Sequence, residues 1–244
     1  MAANLRRLYP KVRKIFVSHN ACHIASNEIK HRNFLAPPHN LRVGMLSNLS
    51  REKGLDVALE VATRCRDRKL NITFMFAGPP IGPEAERLLA KAGKTLEGYA
   101  KITGPVINET KAEFFNSIDV FLFPTRYRFE AQPLVILEAM SYGLPVITTN
   151  RGYVKELVGS AGIVLELDEN LPGKIVEQLE NLLKTRESSV STRIATRAHF
   201  EELRSRAAVQ LAGLVTALFG AHRVDQSGPA PSPGCPDCDA KTVS

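Results

Sequence analysis

The chain has 244 residues, 44% hydrophobic and 23% charged with 16 Gly and 15 Pro, which is enough for one well-packed α/β domain or two small ones. That composition excludes a collagen, a bare coiled coil and a wholly disordered chain. The net charge of +7 is lopsided: residues 1–53 hold ten basic and two acidic side chains, for +8, and the other 191 residues sum to −1.

A field of that shape suits a polyanionic partner, a phosphate-bearing ligand or an anionic membrane surface, without choosing among them. No helix-turn-helix, zinc-finger or other nucleic-acid signature accompanies it, so no nucleic-acid partner is expected. The longest uncharged apolar run, Ala207 to Ala221, covers 15 residues, short of the roughly 20 that span a bilayer. Met1 to Tyr9 carries Arg6 and Arg7 but no apolar core of a secretory signal follows. Four cysteines (Cys22, Cys65, Cys235, Cys238) do not make a disulfide framework, and a cytoplasmic location is expected. Cys235-Pro-Asp-Cys238 lacks a second pair at zinc-finger spacing and sits in a Gly/Pro/Ser stretch, so it reads as inert tail sequence before an accessory metal or thiol site.

Along the chain, Lys14 to Ser18 reads as a short β-rich run and Asn20 to His31 as a helix behind it, followed by a linker, Ala36-Pro-Pro-His-Asn40. Apolar runs at Leu41 to Leu46 and Asn71 to Phe76 read as strands around a helix from Leu55 to Arg66 with apolar residues at helical spacing. The alternation continues with a helix over Gly82 to Ala92, a weak strand at Ala100 to Thr103, a helix from Asn108 to Ser117 and a strand at Asp119 to Phe123. Leu134 to Met140 reads as a helix, Leu144 to Thr148 as a strand, and Val154 to Val158 with Ala161 to Leu165 as one more helix and strand. Helices about Leu171 to Arg186 and Arg193 to Gly220 follow, and Val224 to Ser244 is expected to be disordered. Near-continuous apolar strands between helices predict a doubly wound parallel sheet, Rossmann-like, whose ligands bind at the carboxyl ends of the strands.

Phosphate sites in this architecture lie in the loops after the strands. Gly93-Lys94-Thr95 fails as a P-loop because Leu88 stands where the first Gly must be, and no G-x-G-x-x-G occurs. Ser47-Asn-Leu-Ser-Arg-Glu-Lys53-Gly54 joins a buried strand to a helix and puts a flexible cation at the strand's carboxyl edge; alone, such a turn is more often solvated punctuation. In Phe129-Glu130-Ala-Gln-Pro-Leu-Val-Ile-Leu-Glu138, Pro133 fits the first turn of a helix that begins near Ala131 to Pro133. Glu130 then lies just outside the N-terminus and Glu138 about a turn and a half within, placed to reach different parts of one elongated ligand. A carboxylate is a two-point acceptor for a vicinal diol such as a ribose.

The run Asp119-Val-Phe-Leu-Phe-Pro-Thr125, then Glu130 to Glu138, then Ala-Met-Ser-Tyr-Gly-Leu-Pro-Val-Ile-Thr148, resembles the donor-binding half of a family-4, group 1 glycosyltransferase of the GT-B fold. The similarity takes in Ser47 to Gly54, the strand ending Phe76-Ala-Gly78, and Gly104-Pro-Val106, so it covers roughly residues 41 to 166. The resemblance implies transfer of a sugar from a nucleotide-diphosphate sugar with retention of configuration and no obligatory metal or other cofactor. It implies that Glu138 holds the ribose, that Glu130 lies against the donor sugar, that Lys53 neutralises the diphosphate, and that backbone around Gln132, Pro133 and Leu134 completes the cradle. Ser47, Asn48, Gly78, Val106 and Thr125 would line the rest of the site, with Val106 beside the base; a uridine diphosphate sugar is the base-rate choice.

Two features depart from the family. Where an Arg often follows a Gly in the first loop, this chain has Ser47-Asn48, and Asn48 brings a hydrogen bond without charge. Residues 1–36 resemble only the end of a GT-B N-terminal domain, a basic stub before a nucleotide-sugar-binding domain at 37–186, a C-terminal helix at 187–222 and a tail at 223–244. An acceptor-binding domain or separate partner protein is therefore expected to complete the cleft for a glycan or lipid-linked acceptor, with the basic N-terminus free for peripheral contact at the inner membrane face, and with His19 and His23 as surface or docking residues. The alternative is a non-catalytic nucleotide-sugar-binding or scaffold protein derived from such an enzyme.

Overall fold

The computed structural model describes residues 6–12, 15–27, 40–184 and 189–220. Six strands form one parallel sheet: β1 (Leu41–Leu46), β2 (Ile72–Ala77), β3 (Ala100–Gly104), β4 (Val120–Phe123), β5 (Val146–Thr149) and β6 (Gly162–Leu165), in the spatial order β3-β2-β1-β4-β5-β6. Between them run α1 (Leu55–Asp67), α2 (Gly82–Thr95), α3 (Asn108–Ser117), α4 (Leu134–Ser141) and α5 (Val154–Val158), and α6 (Leu171–Lys184) and α7 (Ser189–Phe219) follow the last strand. This is the doubly wound α/β order, whose strand sequence reverses direction between β1 and β4. A crevice opens at the carboxyl ends of those two strands.

The sheet is buried on both faces, and the two-residue period of the strands sorts their side chains. Val120 and Leu122 join Val43, Met45, Phe74 and Phe76 in a core closed by α1, α2 and α6. Phe121 and Phe123 point the other way, into a core with Phe114, Phe115, Ile136, Met140 and Phe200 from α3, α4 and α7. Burial of each such aromatic ring contributes about 1.5–3 kcal/mol. Away from the crevice, Arg42 on β1 grips Asp119 before β4 through two hydrogen bonds, Nε to Oδ2 at 2.8 Å and Nη2 to Oδ1 at 2.6 Å, and ties the two central strands. Cys65, fully buried in α1, has its thiol pushed up to about 12 by that burial, with Glu180 adding to the effect, so it stays protonated and inert.

The N-terminal segment differs from its sequence pattern. Residues 15–18 form no strand, because β1 already has β2 and β4 on its two sides and the six strands of the sheet all come later in the chain. Lys14 lies outside the described residues. The expected helix is a single 3₁₀ turn, Asn20–His23, and residues 25–27 leave it extended; positions 28–31, the Pro-Pro stretch of the linker, and everything from 221 on, with Cys235 and Cys238, also lie outside. What holds this segment is side-chain chemistry. Asn20 N–H donates to Gln132 Oε1 at 2.8 Å, and Asn20 Nδ2 donates to the Gln132 carbonyl at 3.3 Å. With its oxygen so engaged, the Gln132 amide turns its nitrogen toward His19 Nδ1, 2.9 Å away. Farther along, Arg197 of α7 donates to the carbonyls of Asn27 and Ser141, bridging the segment to α4.

Two tests follow from these contacts. His19 accepts at Nδ1, so its ring is neutral, and burial first and Arg206 second lower its pKa below 6.5. Because the folded value is the depressed one, its stabilisation is complete above the unfolded value and is lost as the pH falls through the folded value. An NMR titration should find His19 below 6.5 and Gln132→Ala should move it upward; an unshifted His19 would remove the contact from the account. The second concerns Gly152, which has φ +58° and comes so near the Glu130 carbonyl that a Cβ would lie 1.4 Å from that oxygen. Gly152→Ala must move backbone, and should lower Tm well beyond the roughly 2–4 °C of a 1 kcal/mol change. Gly93→Ala, inside α2 with only Ile102 Cδ1 within 4 Å, should by contrast hold or raise Tm, since Ala favours a helix by about 1 kcal/mol.

Candidate functional site

The loops that follow β1 and β4 meet at the crevice. Lys53 Nζ lies 2.6 Å from Glu130 Oε2, with side-chain exposures of 25% and 9%. A carboxylate so desolvated costs several kcal/mol unless it is paired and hydrogen-bonded. Glu130 has both, because the Thr125 hydroxyl, fully buried, donates to the same Oε2 at 3.2 Å. Thr125 is held in turn: its carbonyl accepts from Thr149 Oγ1, and its hydroxyl accepts from Tyr127 N–H at 3.2 Å. Arg126 N–H donates to the Glu52 carbonyl at 2.8 Å, which joins the β4 loop to the β1 loop directly. The Lys53 ammonium also sits over two rings, 4.6 Å from the Tyr127 centroid and 5.8 Å from that of Phe123, where the ring faces attract a cation.

Neighbouring strand ends are equally close. A Cβ on Gly78, which has φ +118°, would meet the Ser47 carbonyl at 1.9 Å, so only glycine lets the loops after β1 and β2 pass each other here. Ser47 N–H donates to Ala77 O at 3.2 Å and Leu49 N–H to Pro79 O at 2.8 Å. The Ser47 hydroxyl, at that junction, is buried with no hydrogen-bond partner among the described residues, and Asn48 beside it is exposed.

Glu138 occupies a second position on α4. That helix begins at Leu134, with Pro133 in extended backbone geometry as its cap, one step later than the sequence pattern places it. Only about 6 Å of helix rise separates Leu134 from Glu138. Lys111 of α3 donates to Glu138 Oε1 at 2.5 Å, and Glu138 lines a cavity of about 200 Å³ with His23, Asn27, Asn108, Lys111 and Tyr142. Burial, and then the Glu138 charge, raise the Tyr142 pKa, so that phenol stays neutral.

The sequence-derived residues thus fall into separate sets. Lys53, Thr125 and Glu130 converge; Ser47 and Gly78 stack at the next strand ends; Glu138 sits in its own cavity; Val106 is partly buried against the α3/α4 core. Gln132 spends its side chain and carbonyl on His19 and Asn20, and Leu134 is half exposed. Sequence reasoning missed Lys111, Tyr127 and the carbonyl-bonding Thr149. Lys111 is one lysine in a polar helix, and only the sheet order brings it to Glu138; Tyr127, two residues past Thr125, carried a readable signal as an aromatic in a strand-end loop. Among the described residues, no group of three or more His, Cys, Asp or Glu could hold a metal ion.

Residues 40–185 match the family model described as glycosyl transferases group 1. The chain is 28% identical over 155 residues to the O-antigen biosynthesis glycosyltransferase WclY of Escherichia coli, covering 64% of this chain and 41% of that one. It also aligns at 29% identity over 135 residues with the amylovoran biosynthesis glycosyltransferase AmsK of Erwinia amylovora, covering 53% of this chain and 32% of that one. The chain therefore spans well under half the length of these curated relatives. Among solved structures, sucrose-phosphate synthase from Thermosynechococcus elongatus superposes with a TM-score of 0.67 at 19% identity, over 90% of this chain and 56% of that one. Anabaena HepE, solved with UDP and glucose, superposes with a TM-score of 0.56 at 19% identity, over 73% and 50%. The fold is that of one half of these larger proteins, and with the family model matched along all six strands, the chain belongs to the group 1 glycosyltransferases.

Proposed function

We propose that this chain is the nucleotide-sugar-binding half of a retaining glycosyltransferase of family 4, acting in polysaccharide or O-antigen assembly. The observation that carries the reading is the pairing of Lys53 with a buried Glu130 at the strand-order reversal, with Glu138 in a cavity one helix segment away. Lys53 has three N–H donors and spends one on Glu130, so it can neutralise a diphosphate without releasing the carboxylate. As the sugar leaves, negative charge grows on that diphosphate, and a fixed cation beside the α4 N-terminus stabilises the transition state more than the ground state. Glu130, held by Lys53 and Thr125, lies against the donor sugar, and Glu138, steadied by Lys111, accepts from the ribose hydroxyls. Ser47, whose buried hydroxyl lacks a partner among the described residues, and Asn48 are the polar groups nearest the phosphates, and Val106 lies toward the base.

The domain boundaries of this reading are 37–186 for the donor-binding unit and 187–222 for the final helix. A separate acceptor-binding domain or partner protein completes the cleft for a glycan or lipid-linked acceptor, no metal or other cofactor is required, and the donor is a uridine diphosphate sugar. The protein works in the cytoplasm, with the basic N-terminus against the inner membrane face; among the described residues no helix is long and apolar enough to cross a membrane.

Calorimetry with uridine and guanosine diphosphates and their sugar conjugates tests the division of labour. Glu138→Ala should weaken nucleotide and nucleotide sugar alike, by about 1.5–3 kcal/mol for lost hydrogen bonds to a charged group. Glu130→Gln should spare the free diphosphate and weaken the sugar conjugate or its turnover. Silence across the panel from folded wild-type protein would refute donor binding, and equal losses in both variants would refute the assignment of roles.

A further inference from the structure

Beside the Lys53–Glu130 pair lies an open recess of about 460 Å³ lined by Arg51, Glu52, Arg126, Tyr127, Arg128 and Phe129. Three of its six walls are guanidinium groups and one is a carboxylate. Arg51 and Arg126 are fixed from outside the recess: both pair with Asp56, and Arg51 also reaches Glu84 Oε1 at 3.3 Å. Arg128 differs, since among the described residues no carboxylate lies within 4 Å of it; its guanidinium instead lies 5.9 Å from the Phe129 ring centre. Phe129 is 74% exposed and meets Tyr127 edge to face at 5.9 Å, a costly placement for two aromatic rings that pack into neither core.

We infer that this recess binds the acceptor, and that the acceptor is a glycan carrying an anionic group, a carboxylate or a phosphate, within about one sugar unit of the hydroxyl that is glycosylated. The inference rests on the glycosyltransferase reading of the site and names the substrate class it takes. Guanidinium groups are forks matched to carboxylate and phosphate oxygens, and here two of them are held in place and a third carries its charge without a counter-ion among the described residues. The exposed Phe129 ring, with the half-buried Tyr127 beside it, offers a flat apolar face for the C–H side of a sugar ring, which a simple anion site would not need. Position supplies the link to the reaction: Tyr127 is a wall of the recess and lies 4.6 Å from the Lys53 ammonium that pairs with Glu130, so a ligand lying on Tyr127 and Phe129 has one end near that pair. The volume, in the usual range for small-ligand sites, holds one or two sugar rings.

The probes are tetragalacturonate and neutral maltotetraose, titrated into the full chain by fluorescence or NMR in the presence and absence of uridine diphosphate. Tetragalacturonate should bind at least tenfold more tightly than maltotetraose, with an affinity that falls as salt rises. Arg128→Ala should lower that affinity at least fivefold, Arg128→Glu further, and Phe129→Ala should weaken both tetrasaccharides, while nucleotide binding stays unchanged in all three. Equal binding of the two tetrasaccharides, or full binding by Arg128→Glu, would overturn the inference. So would competition by inorganic phosphate as effective as that by tetragalacturonate, which marks a simple anion site, or Arg128-dependent capture by phosphatidylglycerol vesicles without sugar-acid binding, which marks a membrane contact. Tetragalacturonate binding in a protein that ignores every nucleotide would sustain the recess and remove the donor reading instead.

Discussion

A carboxylate that is almost fully out of water cannot stand alone, and the arrangement of the crevice follows from satisfying Glu130. Its Oε2 takes the Lys53 ammonium at 2.6 Å and the Thr125 hydroxyl at 3.2 Å. For that to happen the loop after β1 must lie against the loop after β4, which in turn needs β1 and β4 to be sheet neighbours, as they are at the reversal of strand order. The Glu130 carbonyl then faces Gly152, the Thr125 carbonyl takes Thr149, and the Glu52 carbonyl takes Arg126 N–H. These contacts join the ends of β1 and β5 to the same short stretch after β4. Such a site is pre-organised by covalent connection to three strands and needs little reordering when charge develops within it.

The far end of the site is built differently. The walls of the Glu138 cavity come partly from α3 and α4 and partly from His23 to Asn27, a stretch with almost no regular structure of its own. That stretch is placed by polar contacts at both ends, Gln132 with His19 and Asn20 at one and Arg197 with Asn27 at the other. α7 is therefore more than a trailing helix: Phe200, Leu203 and Ala207 seal the second core, while Arg197, just ahead of them, ties the N-terminal segment to Ser141. The contacts that place the Glu138 end of the site join residues 170 positions apart, and those at the Lys53–Glu130 end join residues 77 apart.

Most of the strands and helices were legible because most strands are short apolar runs ended by a polar or glycine turn, and helices such as Leu55–Asp67 carry apolar residues at helical spacing. The doubly wound parallel sheet read from that rhythm is the sheet the structure has. Lys14 to Ser18 had the composition of a strand, but composition does not supply a neighbour, and without a place in the sheet residues 15–18 form no strand. At the site, Lys53 and Glu130 could be singled out because each follows a strand, and the rule that ligands bind at strand carboxyl ends placed both on one edge. The Lys111–Glu138 pair had no such signal: its members belong to two helices whose relative position is fixed only by packing on Phe115 and Tyr142. Gln132 looked like cradle backbone and side chain because of the helix that follows it, and nothing local announced that His19, 113 residues earlier, would claim its amide.

The charge asymmetry of the first 53 residues changes meaning once partners are known. Arg42 is committed to Asp119, Arg51 to Asp56 and Glu84, and Lys53 to Glu130, so three of the ten basic side chains in that stretch are spent on internal pairs at or between strand ends. They raise the formal charge of the segment without presenting it as a free basic surface. The counter-charges, Asp56, Glu84, Asp119 and Glu130, lie in α1, α2 and the loops around β4, all beyond residue 53. A cation paired across the crevice acts more strongly on a neighbouring anion than one solvated on the surface, because its position is already fixed and water is partly excluded around it. Sequence charge counts both kinds alike; the fold separates the lysine that can serve chemistry from the arginines that hold the strands together.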